Sequence, residues 1–84
     1  MGSAGRKRPE KLGLKLKAIR NHFNYSFTQM ADRLSDEKIT VLRTDVSRFE
    51  KALREPPLEV LLTYARLIGI STDILIDDRL DLPD

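Results

Sequence analysis

The 84-residue chain has no cysteine, no tryptophan, a single histidine and only 6% aromatic residues. Without thiols there is no disulfide, no thiolate nucleophile and no Cys-ligated zinc. That fits a cytoplasmic protein, which is the expected location. His22 has no ligating partner at helical spacing, so it reads as a surface or satisfied helix residue, and no metal is expected. No apolar run approaches the roughly 18 residues that span a bilayer. The N-terminus also lacks the apolar segment of a secretory signal, so no membrane partner is expected. A Ser/His/Asp set, a Gly-rich phosphate loop and paired catalytic carboxylates are all missing, and the acidic end has no calcium-loop spacing. Neither an enzyme nor a small-molecule cofactor is expected.

What is present suits one small globular domain. Hydrophobic residues make up 40% of the chain and charged residues 33%, outside the disordered range. The formal net charge of +2 hides an asymmetry: residues 1–55 hold 13 Lys/Arg against 7 Asp/Glu, and residues 56–84 hold 2 against 6. A basic half beside an acidic end points to a polyanionic partner on one side of the molecule.

The pattern along the chain is helical throughout, with no strand alternation and no repeat. Residues 1–8 read as a flexible basic arm, residues 9–78 as the folded domain and residues 79–84 as an acidic tail. In the tail, Leu80, Leu82 and Pro83 lie across the surface. Pro9 suits a first helical turn, and Leu12, Leu16, Ile19 and Phe23 follow at helical spacing, predicting a first helix over roughly 9–23. Gly13 lowers helix propensity there, while its missing side chain permits a close helix contact. Asn24 suits the left-handed conformation that ends a helix. In the second helix Ser26 caps and Gln29 reaches back, and Phe27, Met30, Ala31 and Leu34 form the buried stripe. The polar segment from Ser35 to Lys38 reads as a loop. A third helix starts either at residue 41 after Thr40 or at Asp45 after Thr44. A fourth starts at Pro57, with Leu58, Leu61, Ala65 and Ile68 facing inward, and stops at Gly69. Ser71 caps a short fifth helix.

The third helix carries the candidate chemistry. Val46, Phe49 and Leu53 fall on one stripe, and Thr44, Ser47, Arg48 and Lys51 fall on the opposite face. Two prolines, Pro56 and Pro57, then turn the chain away. A helix fits the major groove of DNA, where Arg can donate twice to guanine and Thr can offer its methyl to thymine. Arg43, Thr44, Ser47 and Arg48 are therefore the candidate base readers. Ser26, Gln29, Lys51 and Arg54 are the candidate phosphate contacts, and Arg6, Lys7 and Arg8 form a candidate groove arm. A solvated helix face is the competing reading. Asp45 and Glu55 lie near this face and would repel phosphates, although Asp45 can also stabilise a helix N-terminus.

Several segments in order resemble the xenobiotic-response-element (XRE), or phage-repressor-like, helix-turn-helix domains. They are "LGLKLKAIR", "YSFTQMADRL", "VSRFE" and "REPPLEVLLTYARLIGISTDIL", covering about Leu12 to Asp78. The resemblance implies an all-α, compact five-helix lambda-repressor-like fold with a helix-turn-helix. It implies a recognition helix of about 41–53 and a structural ion pair between Arg20 and Glu50. It also implies sequence-specific double-stranded DNA binding as a transcriptional regulator. A homodimer through the fourth and fifth helices is a further expectation.

Three positions depart from the family pattern. Phe27 stands where relatives often carry a phosphate-holding Gln, so Gln29 or the helix N-terminus would serve instead. Ala52 stands where Gly usually follows the third helix, so that helix is expected to continue through Leu53. Leu34 and Val46 are separated by about five more residues than usual, with Ile39 or Val41 expected to anchor the excess. These departures, together with Asp45 and Glu55, support an alternative function: a protein-interaction module that keeps the fold without specific DNA reading.

Overall fold

The computed structural model describes residues 9–83 as five helices: α1 (Leu12–His22), α2 (Phe27–Leu34), α3 (Arg43–Glu50), α4 (Leu58–Ile68) and α5 (Thr72–Ile76). The expected all-α, compact five-helix architecture is the one observed. The basic arm, with Arg6, Lys7 and Arg8, lies outside the described residues.

One apolar core unites the helices. Leu16, Ile19, Met30, Val46, Val60, Tyr64 and Leu75 are fully buried within it. They come from all five helices, so none is stable as a unit on its own.

The first helix starts at Leu12 rather than Pro9. The Asp78 carboxylate accepts hydrogen bonds from the backbone N–H groups of Glu10 (2.8 Å) and Lys11 (3.0 Å). The acidic end thus caps α1, and the first helical bond runs from Lys15 N–H to the Lys11 carbonyl. Lys15 returns the contact. Although charged, it is buried, and its Nζ donates to the Ile74 (2.7 Å) and Asp77 (3.0 Å) carbonyls at the end of α5. These carbonyls lie at the C-terminal end of α5, where a cation is favoured, and the Asp77 carbonyl also accepts from Leu80 N–H. At the other end of α1, Asn24 takes the expected left-handed conformation (φ 56°). Leu82 packs against the core, while Leu80 stays exposed.

The second helix opens with a complete capping box. Gln29 N–H donates to Ser26 Oγ (3.1 Å), and Ser26 N–H donates to Gln29 Oε1 (2.8 Å). Phe27 was expected in the buried stripe but is 37% exposed. Its ring instead lies 4.3 Å beneath the Arg20 guanidinium, a cation–π contact.

The long turn is closed by its own polar groups. Asp36 accepts from the N–H groups of Lys38 and Ile39, and its own N–H donates to the Ile39 carbonyl. Those bonds hold the Asp36 carboxyl below the usual carboxylate range. Ser35 Oγ accepts from Val41 N–H (2.8 Å) and donates to the Ala31 carbonyl (2.9 Å). Val41 is buried and Ile39 half-buried, so both expected anchors pack. The extra residues are absorbed in a compact loop, and α3 still packs on α2 and α1.

Both expected starts of α3 are corrected. It begins at Arg43, with Leu42 at the N-cap. Asp45 makes this possible by accepting the Leu42 N–H at 3.0 Å. The expected extension through Leu53 is also wrong. The helix ends at Glu50 because Ala52 takes a left-handed conformation (φ 60°), and Leu53 N–H then bonds back to the Arg48 carbonyl. Leu53, placed on the inward stripe by its spacing, is turned out and is 69% exposed.

In α4 the inward face is Val60, Leu61, Tyr64 and Ala65. Leu58, expected inside, is exposed because it lies in the first turn, beyond the core. Gly69 ends the helix in the left-handed region (φ 73°), as expected.

Candidate nucleic-acid interface

The outer face of α3 is defined by what its inner face holds. Val46 and Phe49 are buried, which turns the opposite residues to solvent. Arg43, Thr44, Arg48 and Lys51 are exposed, and Ser47 is half-buried. Lys51 sits just past the last helical turn, as the C-cap residue.

Two contacts fix α3 against α1. A Cβ placed on Gly13 would come within 2.5 Å of the Glu50 carbonyl oxygen and 3.2 Å of the Phe49 carbonyl oxygen. Only glycine permits this approach of the two backbones. Beside it, Arg20 Nε donates to Glu50 Oε2 (2.7 Å) and Nη2 donates to Oε1 (3.0 Å), while Nη1 donates to the Tyr25 carbonyl (2.9 Å). The pair is largely buried, with 14% and 5% of the two side chains exposed. The bond to Glu50 holds the Arg20 guanidinium above its ordinary pKa against the opposing effect of burial. Burial pushes the phenol of nearby Tyr64 upward, and the Glu50 charge adds to this. The C-terminal end of α3 is therefore anchored to α1, while its N-terminal end packs on α2 behind buried Val41.

The cations of this region divide into two groups. Arg20 is paired with Glu50, and Arg54 is paired with Asp45 through a 2.6 Å contact from Nη1 to Oδ1. Among the described residues, Arg43, Arg48 and Lys51 enter no ion pair. Exposed cations left unneutralised on one helix face form a positive patch with hydroxyls between them. Asp45, which would otherwise repel a phosphate, is neutralised by Arg54 and occupied as a helix cap.

The other candidates expected from the sequence are exposed but already hydrogen-bonded within the chain. Ser26 and Gln29 bond each other in the capping box, which leaves the Ser26 hydroxyl proton and the Gln29 amide N–H groups to face outward at the start of α2. Arg54 is committed to Asp45 and also lies 5.8 Å from the Phe49 ring centroid. Sequence reasoning missed this pairing, since the two residues are nine apart and meet only because the chain reverses at Ala52. It also missed Phe27 as a support for Arg20. An open cleft of about 380 Å³ separates α2 from the N-terminus of α3, with Thr28, Ala31 and Asp32 on one side and Val41, Leu42 and Thr44 on the other.

Among the described residues, no group of three or more His, Cys, Asp or Glu could hold a metal ion. Among the described residues, no helix is long and apolar enough to cross a membrane.

No family model matches the chain, and no curated protein matches it. Among solved structures it is similar to the P22 c2 repressor in complex with synthetic operator 9T in the presence of Tl+. The TM-score is 0.67 at 21% identity, over 80% of this chain and 94% of that chain. At this identity the likeness is one of fold, the same arrangement of five helices.

Proposed function

We propose that this chain binds double-stranded DNA sequence-specifically as a transcriptional regulator of the XRE type, acting in the cytoplasm. In this reading α3 enters the major groove. Its N-terminal residues reach base edges while the start of α2 crosses the backbone. Arg43, Thr44, Ser47 and Arg48 read bases. Lys51, Ser26 and Gln29 hold phosphates, with Arg54 joining them once it leaves Asp45. Arg6, Lys7 and Arg8 follow the adjacent groove.

The observation that carries this reading is the unpaired cationic face of α3, held out by buried Val46 and Phe49 and fixed at one end by Arg20 and Glu50. The complex named for the P22 c2 repressor, which has a similar fold, adds support.

The test is selection from random DNA duplexes at two salt concentrations. An enriched motif with strongly salt-dependent affinity is expected. Arg48→Ala should then weaken binding by roughly 1–3 kcal/mol and relax one base position, whereas Lys51→Ala should weaken all sequences alike. Full activity of Arg48→Ala on the selected site would count against the assignment.

A second reading is a protein-interaction module with weak or no specific DNA binding. It draws on the groove of about 360 Å³ lined by Pro9, Pro56, exposed Leu58, Leu61 and Ile76. Flat enrichment in the selection would favour it. A homodimer on DNA would appear in sedimentation as a doubled mass in the complex.

A further inference from the structure

Leu42 is in the wrong place for a structural leucine. It occupies the N-cap of α3, where Ser, Thr, Asp or Asn would accept a hydrogen bond from the first turn. Its side chain makes no such bond, and Asp45 supplies the only side-chain cap there by accepting the Leu42 N–H. Nor does Leu42 serve the core, since it is 57% exposed while its neighbour Val41 fills the buried position. Single exposed leucines are ordinary, and Leu14, Leu53 and Leu58 are more exposed still. Leu42 differs from them in its surroundings. It sits at the N-terminal end of the cationic helix, next to Arg43 and Thr44, on one wall of the α2–α3 cleft. Ala31 and Val41 add apolar surface to that cleft, and the Asp32 carboxylate stands across it. Arg43 lines the same cleft and offsets the Asp32 charge, so the cleft's distinctive offering is the apolar surface of Leu42, Val41 and Ala31.

We infer that Leu42 is a specificity residue that packs on the C5-methyl group of a thymine in the major groove. This inference rests on the DNA-binding reading above. The thymine methyl is the apolar group that the major groove presents, and aliphatic contact is how it is read. The α2–α3 cleft gives that methyl an apolar wall, and Arg43 and Thr44 on either side of the helix start can hold the neighbouring base edges. The residue sacrifices an N-cap for this contact.

The experiment uses the site obtained by selection from random duplexes. Each thymine is replaced in turn by deoxyuridine, which removes only the methyl, and affinity is measured for the full chain and for Leu42→Ser. At one position the replacement should weaken the unsubstituted chain about fourfold, the value of one buried methyl-sized group. Leu42→Ser should bind the thymine site that much more weakly and should not distinguish thymine from uracil at that position. The same variant should raise Tm by about 4 °C, because serine restores the N-cap. Weaker binding by a more stable protein is not what a purely structural role gives. Leu42→Ala, which adds no new hydrogen bond, should match Leu42→Ser in binding. If a motif is enriched but the variants lose as much as the unsubstituted chain at every deoxyuridine, the inference is overturned while the DNA-binding reading stands. Flat enrichment overturns both.

Discussion

Arg20 grips Glu50 with two nearly parallel hydrogen bonds of 2.7 and 3.0 Å, joining α1 to the last turn of α3. Both side chains are mostly out of water, and Arg20 is further held by the Tyr25 carbonyl and the Phe27 ring. Removing one partner strands the other charge. Glu50→Ala should lower stability by about 3–5 kcal/mol in urea denaturation at neutral pH. Replacing both residues by methionine should recover most of the loss, because a buried pair is costly to break from one side and inexpensive to replace whole. A loss of less than about 1 kcal/mol in Glu50→Ala would show that the pair behaves as a surface one.

Two substitutions involving glycine should have opposite signs. Ala52 holds a left-handed conformation at φ 60°, which penalises a residue with a Cβ by about 1–2 kcal/mol. Ala52→Gly should therefore raise Tm, by about 5 °C if the net gain is about 1 kcal/mol. Gly13→Ala gains about 1 kcal/mol of helix propensity. However, its Cβ would meet the Glu50 carbonyl oxygen at 2.5 Å, and the clashing atom is backbone. Helix α1 or α3 must shift, so a net loss of about 1–2 kcal/mol is expected in thermal melts.

Asp45 has two tasks, capping α3 and neutralising Arg54. Asparagine keeps an acceptor for the cap and removes the charge. Asp45→Asn should release Arg54 toward phosphate and remove a repulsive anion from the face. Under the DNA-binding reading, affinity at 0.1 M salt should rise on the order of fivefold, equally for selected and scrambled duplexes, with a steeper salt dependence. An increase confined to the selected site would mean that Asp45 reads a base instead.

The acidic end makes stability sensitive to acid. The backbone N–H groups of Lys11 and then Glu10 hold the Asp78 carboxyl below its usual range, and the Arg79 side chain and backbone bring Asp77 down to about 2. Depressed folded-state values stabilise above the unfolded value of about 4. That contribution is lost as pH falls from about 4 through the folded values. Asp78→Asn should therefore be less stable than the unsubstituted chain at pH 7, and the two should converge as pH falls below about 4 and the Asp78 carboxylate is protonated. A constant difference across that range in urea titrations would contradict the assignment of Asp78 as an ionised cap.

Much of the fold was legible because it rests on local rules. The Ser26–Gln29 capping box, the left-handed stop at Asn24, the glycine stop at Gly69 and the inward pair Val46 and Phe49 each follow from residues within a few positions of one another. The candidate face of α3 was legible for the same reason, since helical spacing assigns Thr44, Ser47, Arg48 and Lys51 to one side whatever lies opposite.

Composition and spacing alone thus determined that this chain makes a small helical domain, with a third helix that turns hydroxyls and cations away from its apolar stripe. Tertiary structure decided where that helix starts and stops, which of its neighbouring cations stay free, and how the extra residues before it are stored. Asp78 caps a helix that begins 66 residues earlier at Leu12, and Arg54 is silenced by Asp45 only because Ala52 reverses the chain. Such pairings depend on distances between segments that no helical period encodes.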